Sequence, residues 1–262
     1  MKNNNDSFLK TNKMLKCVPN TLTVCNSLFG FAAILTTLQA YKVTKDPGKV
    51  FVISACMILI AMVFDALDGF AARLLNATSL KGVQMDSLSD MVTFGVAPAV
   101  LVAVMAHLYS ITFYGYWLAW LLAAIYLACG AHRLAKYNVL TMIEKKSDDK
   151  FDGLPIPGAA AAICTLVFFF GEYDSGHQLV RLLPFYVCIL GFLMVSKVKY
   201  THIGKWLVKV KNSRKRQIIL IVVIICLIIS PAIVAVILVN GYVIWGIVSS
   251  ILNYRSNKEI HE

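Results

Sequence analysis

The feature that most limits what this chain can fold into is a succession of apolar runs, most of them near the length of about 20 residues that a helix needs to cross a bilayer. They cover residues 18–40, 50–75, 85–107, 113–130, 154–170, 179–195, 217–239 and 242–252. Inside lipid every backbone N–H and C=O must find its partner within the segment, so each run is expected to be a helix. The fold class expected is therefore an all-α integral membrane protein with about eight transmembrane helices. The last two spans come from one stretch, 217–252, which is too long for a single crossing. Asn240-Gly241 supplies a turn signal to divide it, and Pro231 is expected to kink the seventh span. Composition agrees: 58% of residues are hydrophobic and 15% charged, against roughly 45–50% and 25% in a soluble domain.

Charge orients the spans. An even number of crossings puts both termini on one side. Of the 25 Lys and Arg residues, all but Lys42, Lys45, Lys49 and Arg181 then fall on that same side. Basic residues concentrate in cytoplasmic loops, so both termini and the intervening basic loops are expected in the cytoplasm, with the chain in the cell membrane. The net charge of +11 does not indicate nucleic acid, because the basic residues flank apolar runs instead of patterning a soluble face. The segment Lys209 to Arg216 reads as a loop against anionic lipid. The expected organisation is a tail (1–16), a core (17–200), a basic loop (201–216), a transmembrane hairpin (217–252) and a second tail (253–262). The seven cysteines form no CxxC pair or Cys/His cluster and read as small buried hydrophobes. No cleavable leader is expected.

One stretch does not belong in a plain membrane helix. Asp65 and Asp68 stand near the end of the second span, and Asp86 and Asp90 near the start of the third. A charge at membrane depth costs about 2.5 kcal/mol or more, so four carboxylates call for a compensating cation. Spacings of i,i+3 and i,i+4 put each pair on one helix face. The short connection from Leu74 to Met85 is expected to make the two helices antiparallel neighbours, bringing all four acids to one point. Hard divalent cations with oxygen ligands, Mg²⁺ or Mn²⁺, relieve the repulsion. Two such ions about 4 Å apart form the usual clamp for displacement at phosphorus. Gly69 and Gly82 remove side chains where a bulky substrate must approach, and Arg73, one turn after Gly69, can grip a phosphate with two parallel hydrogen bonds.

The pattern D-x2-D-G-x2-A-R-x8-G-x3-D-x3-D, complete from Asp65 to Asp90, resembles the signature of the CDP-alcohol phosphotransferase family. That resemblance implies a six-helix core, here followed by two C-terminal helices, with the metal site near the cytoplasmic face, a CDP-linked donor, CMP as leaving group and a homodimer. Carried over by position, Asp65, Asp68 and Asp86 hold one metal, and Asp65, Asp86 and Asp90 hold or border the second. Gly69, Arg73 and Ser79 contact the CDP moiety, and Asp90 is the base that takes the acceptor's hydroxyl proton.

Other segments resemble the branch of that family whose donor is CDP-diacylglycerol and whose acceptor is L-serine: Pro19-Asn20-Thr21-Leu22-Thr23 with Asn26, Phe94-Gly95 with Pro98, Arg133 through Asn138, and Gly153 through Gly158. Lys136 and Tyr137 stand where that branch commonly carries Arg and Phe. Asn20 is expected either to cap a helix or to hydrogen-bond the cytosine or ribose; Thr21 and Thr23 read as caps. Arg133, Lys136 and Asn138 are the expected acceptor contacts, with anchoring at the membrane boundary as the alternative for the two cations. Glycerol-3-phosphate or inositol phosphate as acceptor, and a cation transporter, are the rival functions.

Overall fold

A computed structural model of the chain describes residues 3–43, 46–75, 79–143, 150–172, 179–201 and 230–259. The elements in order are α1 (Asn3–Gln39), α2 (Pro47–Leu74), α3 (Leu80–Asp90), a π-helical segment (Met91–Val96), α4 (Ala97–Tyr114), α5 (Tyr116–Ile143), β1 (Lys150–Asp152), α6 (Ile156–Glu172), α7 (Leu183–Val195), β2 (Lys199–Thr201) and α8 (Pro231–Glu259). Among the described residues five helices are long and apolar enough to cross a membrane: Cys17–Gln39, Pro47–Leu74, Leu80–Tyr109, Tyr116–Val139 and Pro231–Leu252. Ile156–Gly171 and Leu179–Val195 are shorter apolar helices. The chain is a helical, multi-pass membrane protein.

α1 packs along α2 through small residues, which let two backbones approach closely. Thr37 Oγ1 and Ser54 Oγ lie 2.7 Å apart, and Ser54 Oγ donates to the Ala33 carbonyl at 2.9 Å. Phe29 stacks on Phe64 with centroids 5.2 Å apart. α3 and α4, joined through the π segment, run through the middle of the bundle, and Phe94, Ala97, Leu101 and Val102 have no exposed surface. β1 and β2 pair antiparallel, Lys150 facing Thr201, and tie the strands after α5 and α7 together. Gly153 follows β1 at φ +79 beneath the Met194 carbonyl, where a side chain would collide. Its N–H donates to Val198 O at 2.8 Å.

Several sequence expectations need correction. The divided C-terminal hairpin is not found at Asn240-Gly241, because α8 passes through both residues. A turn dipeptide signals a turn where water can satisfy the backbone. Here Asn240 faces other helices: Tyr186 Oη donates to its Oδ1, and its Nδ2 donates to Thr165 Oγ1 at 3.3 Å and Val236 O at 3.0 Å. Pro231 does not kink a span but opens α8, the position where its missing N–H costs nothing. Residues 202–229, which include most of the expected basic loop and seventh span, lie outside the described residues, and the count of eight is not fixed by the rest. α1 begins at Asn3 and carries Pro19 in its interior, so Asn20, Thr21 and Thr23 are not helix caps. Phe113 and Tyr114 end α4 rather than open the fourth span, since Gly115 at φ +76 breaks the chain after them. The backbones of α2 and α3 are not close neighbours; both pack on α1.

Candidate active site

Two helices carry the acids. Asp65 and Asp68 sit on α2, one turn apart, and Asp86 and Asp90 on α3. Asp65, Asp68 and Asp86 each offer a carboxylate oxygen within 4.8 Å of the others. Asp90 stands near enough to Asp65 and Asp86 for their charges to interact. Three of the four acids therefore meet at one point, although the helix backbones that carry them stand apart.

α1 is the missing wall. Thr23, Asn26, Ser27 and Gly30 recur at spacings of three and four, so one face of α1 presents them all to α2, α3 and the π segment. The Thr23 hydroxyl lies 2.8 Å from Asp68 Oδ2 and 3.0 Å from the Pro19 carbonyl and shares its hydrogen between them. Asn26 Nδ2 donates to Asp90 Oδ1 at 3.4 Å. Ser27 Oγ donates to Ser89 Oγ at 2.8 Å, which donates to the Thr23 carbonyl at 2.9 Å. Thr93 Oγ1 reaches the Asn26 carbonyl at 3.1 Å, and Gly30 leaves room for Thr93 where a Cβ would collide. The sequence marked Thr23 and Asn26 only as features of the first span's start. Their spacing inside an apolar run was the available signal, because polar side chains at membrane depth need partners.

The acids fit a hard cation. No Lys or Arg among the described residues forms a salt bridge with any of the four; the ion pair present is Lys49–Asp46 at 3.0 Å, beyond the far end of α1. Asp68 is only 4% exposed, and Asp86 Oδ1 is buried with no hydrogen-bond partner among the described residues. Buried charge is stable only when paired or metal-bound. A set of carboxylate oxygens suits Mg²⁺ or Mn²⁺ and does not suit a soft metal.

The other expected residues divide. Gly69 borders open space, with no atom within 4 Å of where a Cβ would stand. Arg73 is exposed, and its Nε donates to Gly69 O at 3.0 Å. Ser79 caps α3 by accepting from Gly82 N at 3.0 Å. Asn20 Oδ1 lies beside Gly82, 3.7 Å from the place of a Cβ. Asn20 and Ser79 thus meet at Gly82, and Gly69 and Arg73 meet one turn beyond Asp68.

The expected acceptor contacts are not gathered there. Arg133 Nη1 donates to the Met194 carbonyl at 3.3 Å beside Gly153, and Lys136 is exposed. Asn138 Oδ1 accepts from Ser87 Oγ at 2.9 Å. Ser87 and Asn138 line a cavity of about 380 Å³ between α3 and α5, with Met91 and Leu134. Residues 84, 87, 88 and 91 occupy the face of α3 turned away from Asp86 and Asp90, so α3 stands between this cavity and the acids.

Relatives extend the picture. The sequence model of the CDP-alcohol phosphatidyltransferase family matches residues 16–252. The chain is 36% identical over 188 residues to the CDP-diacylglycerol–serine O-phosphatidyltransferase of Bacillus subtilis, covering 72% of this chain and 92% of that one. It is 30% identical over 233 residues to the enzyme of the same name from Helicobacter pylori, covering 88% and 89%. It is 31% identical over 191 residues to the archaetidylserine synthase of Methanothermobacter thermautotrophicus, covering 71% and 70%. With the family match running almost end to end and the signature acids meeting at one point, this chain belongs to the CDP-alcohol phosphatidyltransferase family.

Proposed function

We propose that this protein transfers the phosphatidyl group of CDP-diacylglycerol to the hydroxyl of L-serine, releasing CMP, at a site where Asp65, Asp68, Asp86 and Asp90 hold two divalent cations, Mg²⁺ or Mn²⁺. The observation that carries the metal chemistry is the meeting of Asp65, Asp68 and Asp86 within 4.8 Å without a Lys or Arg among the described residues bridging to them. Serine as acceptor rests on the relatives: two are named for diacylglycerol lipids and one for an archaeal lipid, yet all three names contain serine.

Bound to these carboxylates, the cations supply Lewis-acid stabilisation of the charge that develops on the pyrophosphate. The remaining work belongs to the chain. The open space at Gly69 admits the CDP head beside the helix backbone, and Arg73 and Ser79 lie at its rim to bind phosphate oxygens. Asn20, one turn before Thr23 on α1, offers an amide to the cytidine. The diacylglycerol tails stay in the bilayer along the exposed apolar flank of α2, where Leu67, Phe70 and Leu74 face outward. Asn26 holds one oxygen of Asp90, and Asp90 takes the proton from the serine hydroxyl. The serine oxygen then bonds to the lipid-linked phosphorus as the bond from that phosphorus to the CMP oxygen breaks. No covalent enzyme intermediate is needed. The site opens to the cytoplasm, both termini lie there, and the protein works in the cell membrane as a homodimer, with the acceptor entering from the cytoplasmic side.

Purified protein given labelled CDP-diacylglycerol with serine, glycerol-3-phosphate or inositol phosphate in turn, each with and without EDTA, tests this reading. Phosphatidylserine and CMP are expected with serine alone, and neither in EDTA. A phosphatidyl product from either phosphorylated alcohol overturns the acceptor assignment. Absence of CMP under every condition overturns the enzyme and favours a cation pathway.

A further inference from the structure

The helix that carries Asp86 and Asp90 into the bundle is not regular. Between α3 and α4, residues Met91–Val96 form a π-helix, with Ala97 N–H bonded to Val92 O five residues back. Such turns cost stability and persist where something enforces them. The sequence supplies the cause. Pro98 has no N–H to give the Phe94 carbonyl four residues earlier, and its ring crowds that carbonyl in a regular helix. The widened turn relieves the crowding. The Phe94 carbonyl is met instead by Tyr126 Oη of α5 at 2.7 Å, and Tyr126 has no exposed surface.

A π turn accommodates one extra residue, which rotates the helix before it by about 100° relative to the helix after it. α4 is anchored by Leu101, Val102 and Met105, each 3% exposed or less, whereas Ser89 is the one buried residue of α3. Loss of the extra residue's offset therefore turns α3, not α4. That rotation carries Asp86 and Asp90 off the face that meets Asp65 and Asp68, and it breaks the contacts of Ser89 and Asp90 with α1.

We infer that Pro98, the Phe94 carbonyl and the Tyr126 hydroxyl form a register device that aims Asp86 and Asp90 at the α2 acids, with Tyr126 as a positioning residue outside the family's signature. The consequence for catalysis rests on the metal reading above; the register itself does not. Tyr126 touches neither substrate nor metal in this scheme. Its influence passes through the backbone of the π segment and then through Thr93, whose hydroxyl holds the Asn26 carbonyl, to the α1 face that grips Asp90.

The test uses full-length protein in lipid nanodiscs, with native cysteines replaced and Ser27→Cys/Ser89→Cys added as a register reporter, since those hydroxyls lie 2.8 Å apart. The reporter is oxidised in the parent, in Tyr126→Phe, and in Tyr126→Phe/Pro98→Ala, which also restores the missing N–H. Mn²⁺ binding is followed by electron paramagnetic resonance in the same set without the reporter, and thermal unfolding is recorded throughout. Cross-linking is expected to fall in Tyr126→Phe and to fall at least tenfold in the double variant. Mn²⁺ affinity is expected to drop by about 10- to 100-fold, the range for outer-shell changes at metal sites. The double variant is expected to unfold no earlier than Tyr126→Phe, because its helix is more regular. Unchanged cross-linking in the double variant overturns the register device, whatever the metal does. A drop in cross-linking that merely parallels a fall in unfolding temperature overturns it too. Reduced cross-linking in a set whose parent binds no Mn²⁺ upholds the register device and refutes the metal reading instead.

Discussion

Thr23→Val removes one hydroxyl and almost no volume, and it isolates the contribution of α1 to the acid cluster. The Thr23 hydroxyl lies 2.8 Å from Asp68 Oδ2, and both residues are at least 95% buried. A hydrogen bond to a charged group contributes about 1.5–3 kcal/mol. Losing it leaves a buried carboxylate oxygen with no replacement from water, so the full cost is felt. At about 1.4 kcal/mol per factor of ten, the metal-bound state weakens by roughly 10- to 150-fold. The assay is CMP release against Mn²⁺ concentration at saturating donor and serine, alongside thermal unfolding with and without Mn²⁺. The half-saturating Mn²⁺ concentration is expected to rise by that factor, while the maximal rate at saturating Mn²⁺ recovers most of the parent value. Thr21→Val is the control: its exposed hydroxyl only back-bonds to the Cys17 carbonyl at 3.0 Å, and its Mn²⁺ curve is expected to match the parent. If Thr23→Val and Thr21→Val give the same curve, α1 does not orient the acids, and the second wall of the site is misassigned.

Other outcomes follow from the same geometry. Asp86→Asn is expected to abolish CMP release; because it removes one of four crowded negative charges, the metal-free variant should unfold no earlier than the parent in a thermal scan. Gly30→Ala puts a methyl group into Thr93, an overpacking that costs about 1–3 kcal/mol, and activity should fall with stability as α1 is pushed off the π segment; an unperturbed melting temperature contradicts the close approach. Asn240→Leu strips the Tyr186 hydroxyl of its acceptor and Thr165 of a donor, at about 1–3 kcal/mol for each buried polar group left without a partner. Its melting temperature should drop while the half-saturating Mn²⁺ concentration stays put, since the network lies outside the acid cluster.

How much of this was legible in the sequence depends on how local each signal is. The helical class and the acid cluster were readable because run length and the i,i+3 and i,i+4 spacings are properties of single segments. The parts that failed depend on what another segment supplies. Asn240-Gly241 carries a turn signal, but Tyr186 and Thr165 arrive from two other helices to satisfy Asn240 within a continuous α8. Thr23 resembles a cap until α2 docks against it. The π turn was not read from the sequence, because the partner of the Phe94 carbonyl, Tyr126, stands 32 residues further on in another helix. Arg133 carries a charge that invites a ligand reading, whereas the fold gives its Nη1 the carbonyl of Met194 in the last turn of α7.

Everything chemical here depends on cations occupying the space among Asp65, Asp68, Asp86 and Asp90. The most direct measurement is a structure of the protein with Mn²⁺ bound, with anomalous scattering recorded at the manganese edge. The account predicts two anomalous peaks in contact with those four carboxylates. Manganese signal elsewhere only, with none among those four carboxylates, contradicts it.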